Sequence, residues 1–345
     1  MPVHTVLGPM AAAELGPTSM HEHLLSDLRV WSKEPAFPVP VGVDIGPMLQ
    51  GSLRWDALAV PANLVLHDAD VAVDELLAVK AAGGSAIVEL TLGGMGRRVA
   101  DLPEISRRSG ITICIGAGYY VDETHTDAVR VADVDRLTEM LVDELTNGVE
   151  GTGILPALLG EIGTSWPITE SEWRVIRAAG RAGAITGTTV YMHLSFRGAG
   201  GLDVLTVLIE EGMPADRVII GHLDERFDKV YHREVAQAGA VVGYDTFGSD
   251  FYYGSPTFRN PTDFERFAMV EWLIEEGFAE QLIIAGDVWT QSNLRKNGGY
   301  GYEHLFRRIG PGIARLAGGD ENLVTTILID NPRRLLDRPV LGSPA

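Results

Sequence analysis

Short apolar runs rich in β-branched residues alternate along the chain with amphipathic stretches of roughly 12–18 residues, the rhythm of repeated βα units. The apolar runs predict strands at Thr18–His23, Ser85–Leu90, Thr112–Gly116, Ala157–Glu161, Thr188–His193, Val218–His222, Ala240–Asp245 and Leu282–Asp287. Helical periodicity falls between them, in stretches such as Val71–Ala82, Val134–Val149, Ser171–Ala182, Leu202–Glu211 and Asp263–Glu276. Most of these strands are apolar nearly throughout, as expected where both faces are covered. Glycines stand where helices should stop, in AAGG before Ser85, RSG before Ile111 and QAG before Ala240. Eight parallel strands with seven or eight crossover helices predict a single α/β domain over residues 1–345, a closed (β/α)8 TIM barrel with a long loop after strand one. A doubly wound sheet is the alternative, and units of this regularity fit it less well.

Composition narrows the class. The 345 residues are 46% hydrophobic and 22% charged, enough apolar matter for a large core. Asp and Glu outnumber Lys and Arg by 47 to 28, a formal charge of −19. That balance argues against nucleic acid or an anionic membrane as partner, since both require a basic footprint. No apolar run approaches the roughly 18 residues of a membrane span, and the opening MPVHTVLGPMAAAELG lacks the pattern of a signal peptide. Cys114 is the only cysteine, so no intramolecular disulfide is available and a cytoplasmic setting is expected. Inside the apolar run TICIG its thiol reads as buried and inert. No Gly-x-Ser-x-Gly elbow supports a serine hydrolase.

The chemistry sits at the predicted strand ends. Strand one ends in His21-Glu22-His23, strand four in Glu161, strand five in His193, strand six in His222 and strand eight in Asp287. Barrel enzymes draw their reactive groups from the C-terminal ends of strands. His21 and His23 are two apart, so strand periodicity points both one way and Glu22 the other. Imidazoles and carboxylates are the ligand types of Zn²⁺ and similar divalent ions. Any one of these residues alone reads more simply as a hydrogen-bonded structural group. Six at one rim read as a metal site.

The ordered set resembles the phosphotriesterase family of the amidohydrolase superfamily, and the similarity runs through most of the chain. MHEHL at Met20–Leu24 looks like the family's strand-one His-x-His, and IVELTLGGMGRR at Ile87–Arg98 like its second strand and loop. GAGYY at Gly116–Tyr120, HLSFRGAG at His193–Gly200, RVIIGHLDE at Arg217–Glu225, AGDVW at Ala285–Trp289 and NGGYGY at Asn297–Tyr302 continue the match. The resemblance implies two divalent metal ions per chain, Zn²⁺ first, with Mn²⁺, Co²⁺ or Fe²⁺ as alternatives. It implies His21, His23 and Asp287 around a buried ion, His193 and His222 around a more exposed one, and a strand-four group between them. The best-known members carry a carboxylated lysine at that position. This chain has Glu161, like the phosphotriesterase homology protein branch, which puts phosphotriester hydrolysis in doubt.

The same resemblance implies a hydrolase in which a metal-bridging hydroxide attacks the carbonyl of a small carboxylic ester or lactone, with an N-acyl amide close behind. Asp287 would pass the proton to the leaving group. Alternatives are a catalytically silent metal-binding barrel that binds a small molecule, a phosphotriesterase-like organophosphate hydrolase, or a mononuclear aminohydrolase of the same superfamily. Family habit suggests a homodimer. Substrate choice belongs to the loops. Loop one, residues 24–68, reads equally as a pocket wall or lid and as a packed excursion. Loop seven, residues 246–261, carries Phe251, Tyr252, Tyr253 and Arg259. Tyr120 stands where related lactonases place an active-site tyrosine. Arg295 is either an anion-binding cation beside the metals or a solvated surface group. Thr246, rather than Asp245, is expected to face the pocket at the end of strand seven. His4, His67, His125, His232 and His304 lie in predicted helices or loops without ligand spacing.

Overall fold

The computed structural model describes residues 1–40, 43–195 and 200–338. Eight parallel strands lie side by side in sequence order: β1 (Thr18–Glu22), β2 (Ala86–Glu89), β3 (Thr112–Ala117), β4 (Leu158–Gly163), β5 (Val190–His193), β6 (Val218–Ile220), β7 (Val241–Tyr244) and β8 (Leu282–Ile284). The ring closes just beyond the regular ends of β1 and β8. The Asp287 amide donates to the His21 carbonyl at 3.1 Å and the His23 amide to the Val288 carbonyl at 3.3 Å. The monotonic order and this closure make the sheet a barrel, as the alternation of elements predicts.

Alternation along each strand splits the core. Met20, Val88, Cys114, Leu158, Tyr191, Ile219, Val241 and Ile283 fill the barrel interior, while their neighbours Ile87, Ile113, Leu159, Val190 and Val242 pack outward against helices. The Cys114 thiol is buried, and burial pushes its pKa up to about 12. Crossover helices are α1 (Ala69–Ala81), α2 (Leu102–Ser109), α3 (Val134–Asn147), α4 (Glu170–Thr186), α5 (Gly201–Glu210), α6 (Lys229–Gln237) and α7 (Asp263–Glu275). Thr169 with Glu172 and Thr262 with Glu265 form reciprocal capping boxes at the starts of α4 and α7, satisfying amides that have no partner within the helix. An N-terminal hairpin (Pro2–Thr5 and Gly8–Ala11) and the helix Asn331–Leu336 stop the bottom of the barrel, with Val3, Leu15, Leu335 and Leu336 packed on its interior residues. His4 therefore sits in a strand rather than in a helix or loop. Among the described residues no helix is long and apolar enough to cross a membrane.

Two features shape the upper rim. Pairing slips by one residue between Ser19 and Glu22 on β1 and between Leu159 and Ile162 on β4. Such bulges re-aim side chains beside functional sites. Gly116 makes the second one possible, because a Cβ there would lie 1.8 Å from the Gly160 carbonyl oxygen. The described residues of loop one form a packed excursion. Its ends pair as a short ribbon (Ser26–Asp27 with Val65–Leu66), and it contains the helix Gln50–Trp55. Gln50 Nε2 donates to the carbonyls of Ser292 and Asn297, both at 2.8 Å, and the Tyr252 and Gly254 amides donate to Arg54 and Trp55 carbonyls. Loops one, seven and eight are thereby tied into one wall.

Candidate metal centre and substrate cleft

The six residues singled out at the strand ends converge at the top of the barrel. His23 Nε2 lies 3.2 Å from Glu161 Oε1 and 3.3 Å from Asp287 Oδ1. His21 Nε2 lies 3.4 Å from Glu161 Oε2 and 3.7 Å from Asp287 Oδ1, and it is buried without a hydrogen-bond partner. On the other side His193 Nδ1 is 2.9 Å from Glu161 Oε2, and His222 Nε2 is 2.7 Å from that same His193 nitrogen. Two sets with metal-ligand spacing result, His21–His23–Asp287 and Glu161–His193–His222. Glu161 reaches the first set through one carboxylate oxygen and both sets through the other. His222 and Asp287 have left-handed backbones, φ 56° and 45°, unusual for non-glycine residues and found where a site over-determines them. The predicted strands six and eight extend as far as these two residues; the regular strands stop at Ile220 and Ile284.

The electrostatics agree with a place for cations. Burial would lower the pKa of His21, yet Glu161 and Asp287 outweigh it and raise it to about 10. His23 is raised to about 9 because hydrogen bonds to Asp287 and Glu161 overcome the same burial. Burial would raise Glu161, but His21 and His193 hold it well below the carboxylate range. His193 moves the other way, lowered because burial outweighs Glu161. A pocket this rich in carboxylates draws positive charge, either protons on imidazole or a divalent ion. With the orphaned His21 nitrogen aimed into it, the donor set fits divalent metal.

Behind these groups stands a layer that sequence reasoning missed. Asp245 Oδ1 accepts from the His222 amide at 2.9 Å and faces His222 Nδ1 at 3.0 Å, while Oδ2 faces His21 Nδ1 at 3.3 Å and accepts from the Tyr191 hydroxyl. His21, His222 and Asp245 are close enough to suggest a third metal group. However, Asp245 takes the Nδ1 edges and leaves both Nε2 atoms facing Glu161, so it lies behind the two candidate ligands and fixes the direction of their rings. Thr246, expected to face the pocket, turns away instead. Its hydroxyl donates to Asp224 at 2.9 Å and accepts from Arg266 at 2.6 Å, within a fully buried Asp224–Arg266 ion pair. Asp224 also accepts from the Asp245 and Thr246 amides. Glu22 points away from the histidines, as the alternation predicts, and its carboxylate accepts from Ser19 Oγ and the Gly286 and Val288 amides across the barrel seam.

Above the polar floor opens a cleft of about 990 Å³, lined in part by His23, Glu161, His193, His222 and Asp287. Tyr120 is in its wall, the hydroxyl 3.2 Å from His193 Nε2. Burial and then the Glu161 charge keep it a phenol. Arg295 is not brought to the cleft. Its backbone and Nε bind the buried carboxylate of Glu75 on α1, at 2.9 and 3.3 Å. The cations lining the cleft among the described residues are Lys33 and Arg226, and a carboxylate unforeseen in the sequence, Glu225, lines it too. Glu225 accepts from Asn260 Nδ2, and burial raises its pKa to about 7. Of loop seven, the stretch from Tyr253 to Phe258 reaches the cleft. Tyr252 stacks on Trp55, and Arg259 pairs with Glu265. Residues 196–199 of the HLSFRGAG motif lie outside the described residues. Three of the remaining histidines have structural partners: Ser171 and the Tyr120 carbonyl for His125, Tyr244 for His232 and Asp263 for His304.

A barrel of eight βα units carrying buried imidazole and carboxylate clusters at the carboxyl ends of its strands is the architecture of a metal-assisted hydrolytic enzyme. Residues 1–336 match the model of the phosphotriesterase family, and the chain belongs to that family. It is 36% identical over 341 residues to the N-acetyltaurine hydrolases of Danio rerio and Homo sapiens, covering 97% of this chain and 97% of each relative. Among solved structures, a resiniferatoxin-binding protein from Rhodobacter sphaeroides superimposes with a TM-score of 0.91 at 31% identity, over 97% of this chain and 95% of that one. A phosphotriesterase homology protein from Escherichia coli, complexed with phosphate in its active site, gives 0.78 at 28% identity, over 93% and 99%. A lactonase from Listeria monocytogenes gives 0.78 at 26% identity, over 98% and 100%. The chain is accordingly a hydrolytic enzyme of a family with a divalent metal centre.

Proposed function

We propose that this chain is a dinuclear metal-dependent hydrolase that cleaves a carbonyl compound, an N-acyl amide ahead of a carboxylic ester or lactone. The observation that carries the reading is Glu161, whose carboxylate lies within 3.4 Å of His21, His23 and His193 and so serves both ligand sets. His21, His23 and Asp287 would hold one ion through Nε2, Nε2 and a carboxylate oxygen. His193 through Nδ1 and His222 through Nε2 would hold the other. When bound, such a pair polarises a carbonyl oxygen and brings the pKa of water from 15.7 towards about 7. Asp287 faces the cleft, accepts the proton of the attacking water and delivers it to the leaving nitrogen or oxygen. Tyr120, held as a phenol, donates a hydrogen bond to the acyl oxygen. Ester and lactone lead on sequence pattern alone; the N-acetyltaurine hydrolases, similar over nearly the whole chain, move the amide to first place. Arg295, engaged by Glu75, has no part in this reading.

The single domain, the choice of Zn²⁺, a cytoplasmic setting and a homodimer complete the proposal. They rest on ligand chemistry, the acidic composition with one cysteine, and family habit. The test is elemental analysis of the purified protein together with hydrolysis of N-acetyltaurine and of an ester and lactone panel. Two equivalents of metal and chelator-sensitive turnover are expected. Full turnover after exhaustive chelation would refute the proposal. A barrel that binds without turnover is favoured by the similarity to the resiniferatoxin-binding protein. It predicts ligand binding with no hydrolysis of any carbonyl substrate by the metal-loaded protein.

A further inference from the structure

The reactive floor of the cleft is small, but the space above it is not. At about 990 Å³ it lies at the upper end of the range for cavities that enclose drug-sized ligands. Beside Lys33, Glu225 and Arg226, one side of the wall above the floor is apolar: Leu28, Trp31 and Leu58 come from loop one, Phe258 from loop seven, and Trp289 follows β8. Trp31 and Trp289 pack on a buried cluster of Leu28, Leu92, Met95, Tyr120 and Val121. Each indole is anchored there and also borders the cleft. The Trp31 and Tyr120 rings meet edge to face at 6.2 Å, which joins this wall to the reacting groups.

The volume is a built property of the rim. Backbone bonds from Tyr252 and Gly254 to loop one, at 3.0 and 2.7 Å, and the Gln50 contacts to loop eight join the three loops and fix their positions around the cleft. An acetyl group on the scissile carbonyl would leave these indole, leucine and phenylalanine surfaces wet. Apolar surface contributes to binding in proportion to the area removed from water.

We propose that the acyl half of the substrate is an apolar chain or ring system of about six to ten carbons, large enough for a cleft of this class. It lies against Trp31, Leu58, Phe258 and Trp289 while the carbonyl sits over Glu161 and Asp287. This rests on the carbonyl-hydrolase reading and adds to it the size and polarity of the acyl group.

A matched series of acetyl, butanoyl, hexanoyl and octanoyl amides of taurine, with the corresponding phenyl esters, tests it on the metal-loaded enzyme. A fully buried methylene corresponds to roughly a fourfold gain, so even partial burial predicts that kcat/KM rises at least about tenfold from acetyl to octanoyl. Turnover of the acetyl members with a flat or falling series overturns the inference and leaves the hydrolase reading standing. No turnover of any member removes both. Leu58→Asp, which places a carboxylate in the wall, is expected to lower the octanoyl-to-acetyl ratio at least about fivefold, and Phe258→Ala to lower it in the same direction. A ratio unmoved by the folded Phe258→Ala protein overturns the proposal even if Leu58→Asp fails to fold.

Discussion

Asp245→Asn removes one charge and almost no volume, and its effect can be worked from four contacts. The carboxylate accepts at 2.9–3.0 Å from the His222 amide and ring, faces the His21 ring at 3.3 Å and accepts from Tyr191. An amide has one acceptor oxygen, so one of the two imidazoles must meet an N–H₂ group with its own Nδ1–H. Loss of such an orienting partner costs about 10–100-fold in metal affinity or activity. With an imidazole from each ligand set involved, the combined loss spans about 10²–10⁴-fold if the two act independently, or ~2.8–5.6 kcal/mol at 1.4 kcal/mol per decade. The assay is metal content of wild type and variant after equilibration in a chelator-buffered series of free Zn²⁺. The occupancy curve of the variant should shift to higher Zn²⁺ by at least tenfold, with both sites affected because Asp245 touches both. Superimposable curves would show that the ligands hold their orientation without it, and Asp245 would lose its place as the orienting group.

Glu161→Ala should reduce bound metal below two equivalents and abolish turnover; a variant that keeps both ions and wild-type rate removes the bridging role. Asp287→Asn should lower kcat by about 10²–10⁴, the usual share of a general acid–base, with the fold retained by circular dichroism; an unchanged kcat refutes its proton transfer. Arg266→Met leaves Asp224 buried and unpaired, which should cost about 3–5 kcal/mol in denaturant unfolding; a loss below about 1 kcal/mol contradicts the clamp. Burial lowers the pKa of His232 from 6.5 to about 4, so the unfolded chain binds the proton that the folded chain refuses. Its contribution is complete above pH 6.5 and is lost as pH falls towards 4. Chelator-treated His232→Gln should therefore show a shallower fall of Tm over that interval than chelator-treated wild type, and parallel curves would refute the assignment.

The barrel was legible because covered strands must be apolar on both faces and because helices of several turns carry their own period. The candidate ligands were legible because strand ends in a barrel share one rim, so position in the sequence implies position in space. What stayed hidden depended on direction. Asp245 and Thr246 are adjacent, and period-two counting cannot say which faces the histidines when Arg266, 20 residues on, draws Thr246 the other way. Arg295 follows β8 as an anion-binding residue might, but Glu75 of α1, 220 residues earlier, captures it. The helices α2 and α6 were legible from the glycines that follow them rather than from a periodic face, because LPEISRRS and KVYHREVAQ are short and carry few apolar positions. Glu225 gave no signal, since a carboxylate after a strand reads as surface until the loop folds over it.

The seam of the ring has a consequence for how the enzyme comes into being. Glu22 and Gly286, 264 positions apart, meet where the first and last staves join, and His21, His23 and Asp287 stand on either side of that joint. An ion gripped there would act as a clasp on the hoop. A nascent chain still short of its last strand therefore lacks Asp287, one of the three groups of that grip, and complete metal capture becomes a late event that reports finished assembly. Conversely, stripping the ion should loosen the joint before any other stave parts, so that hydrogen exchange in the apoprotein begins at the first and eighth strands.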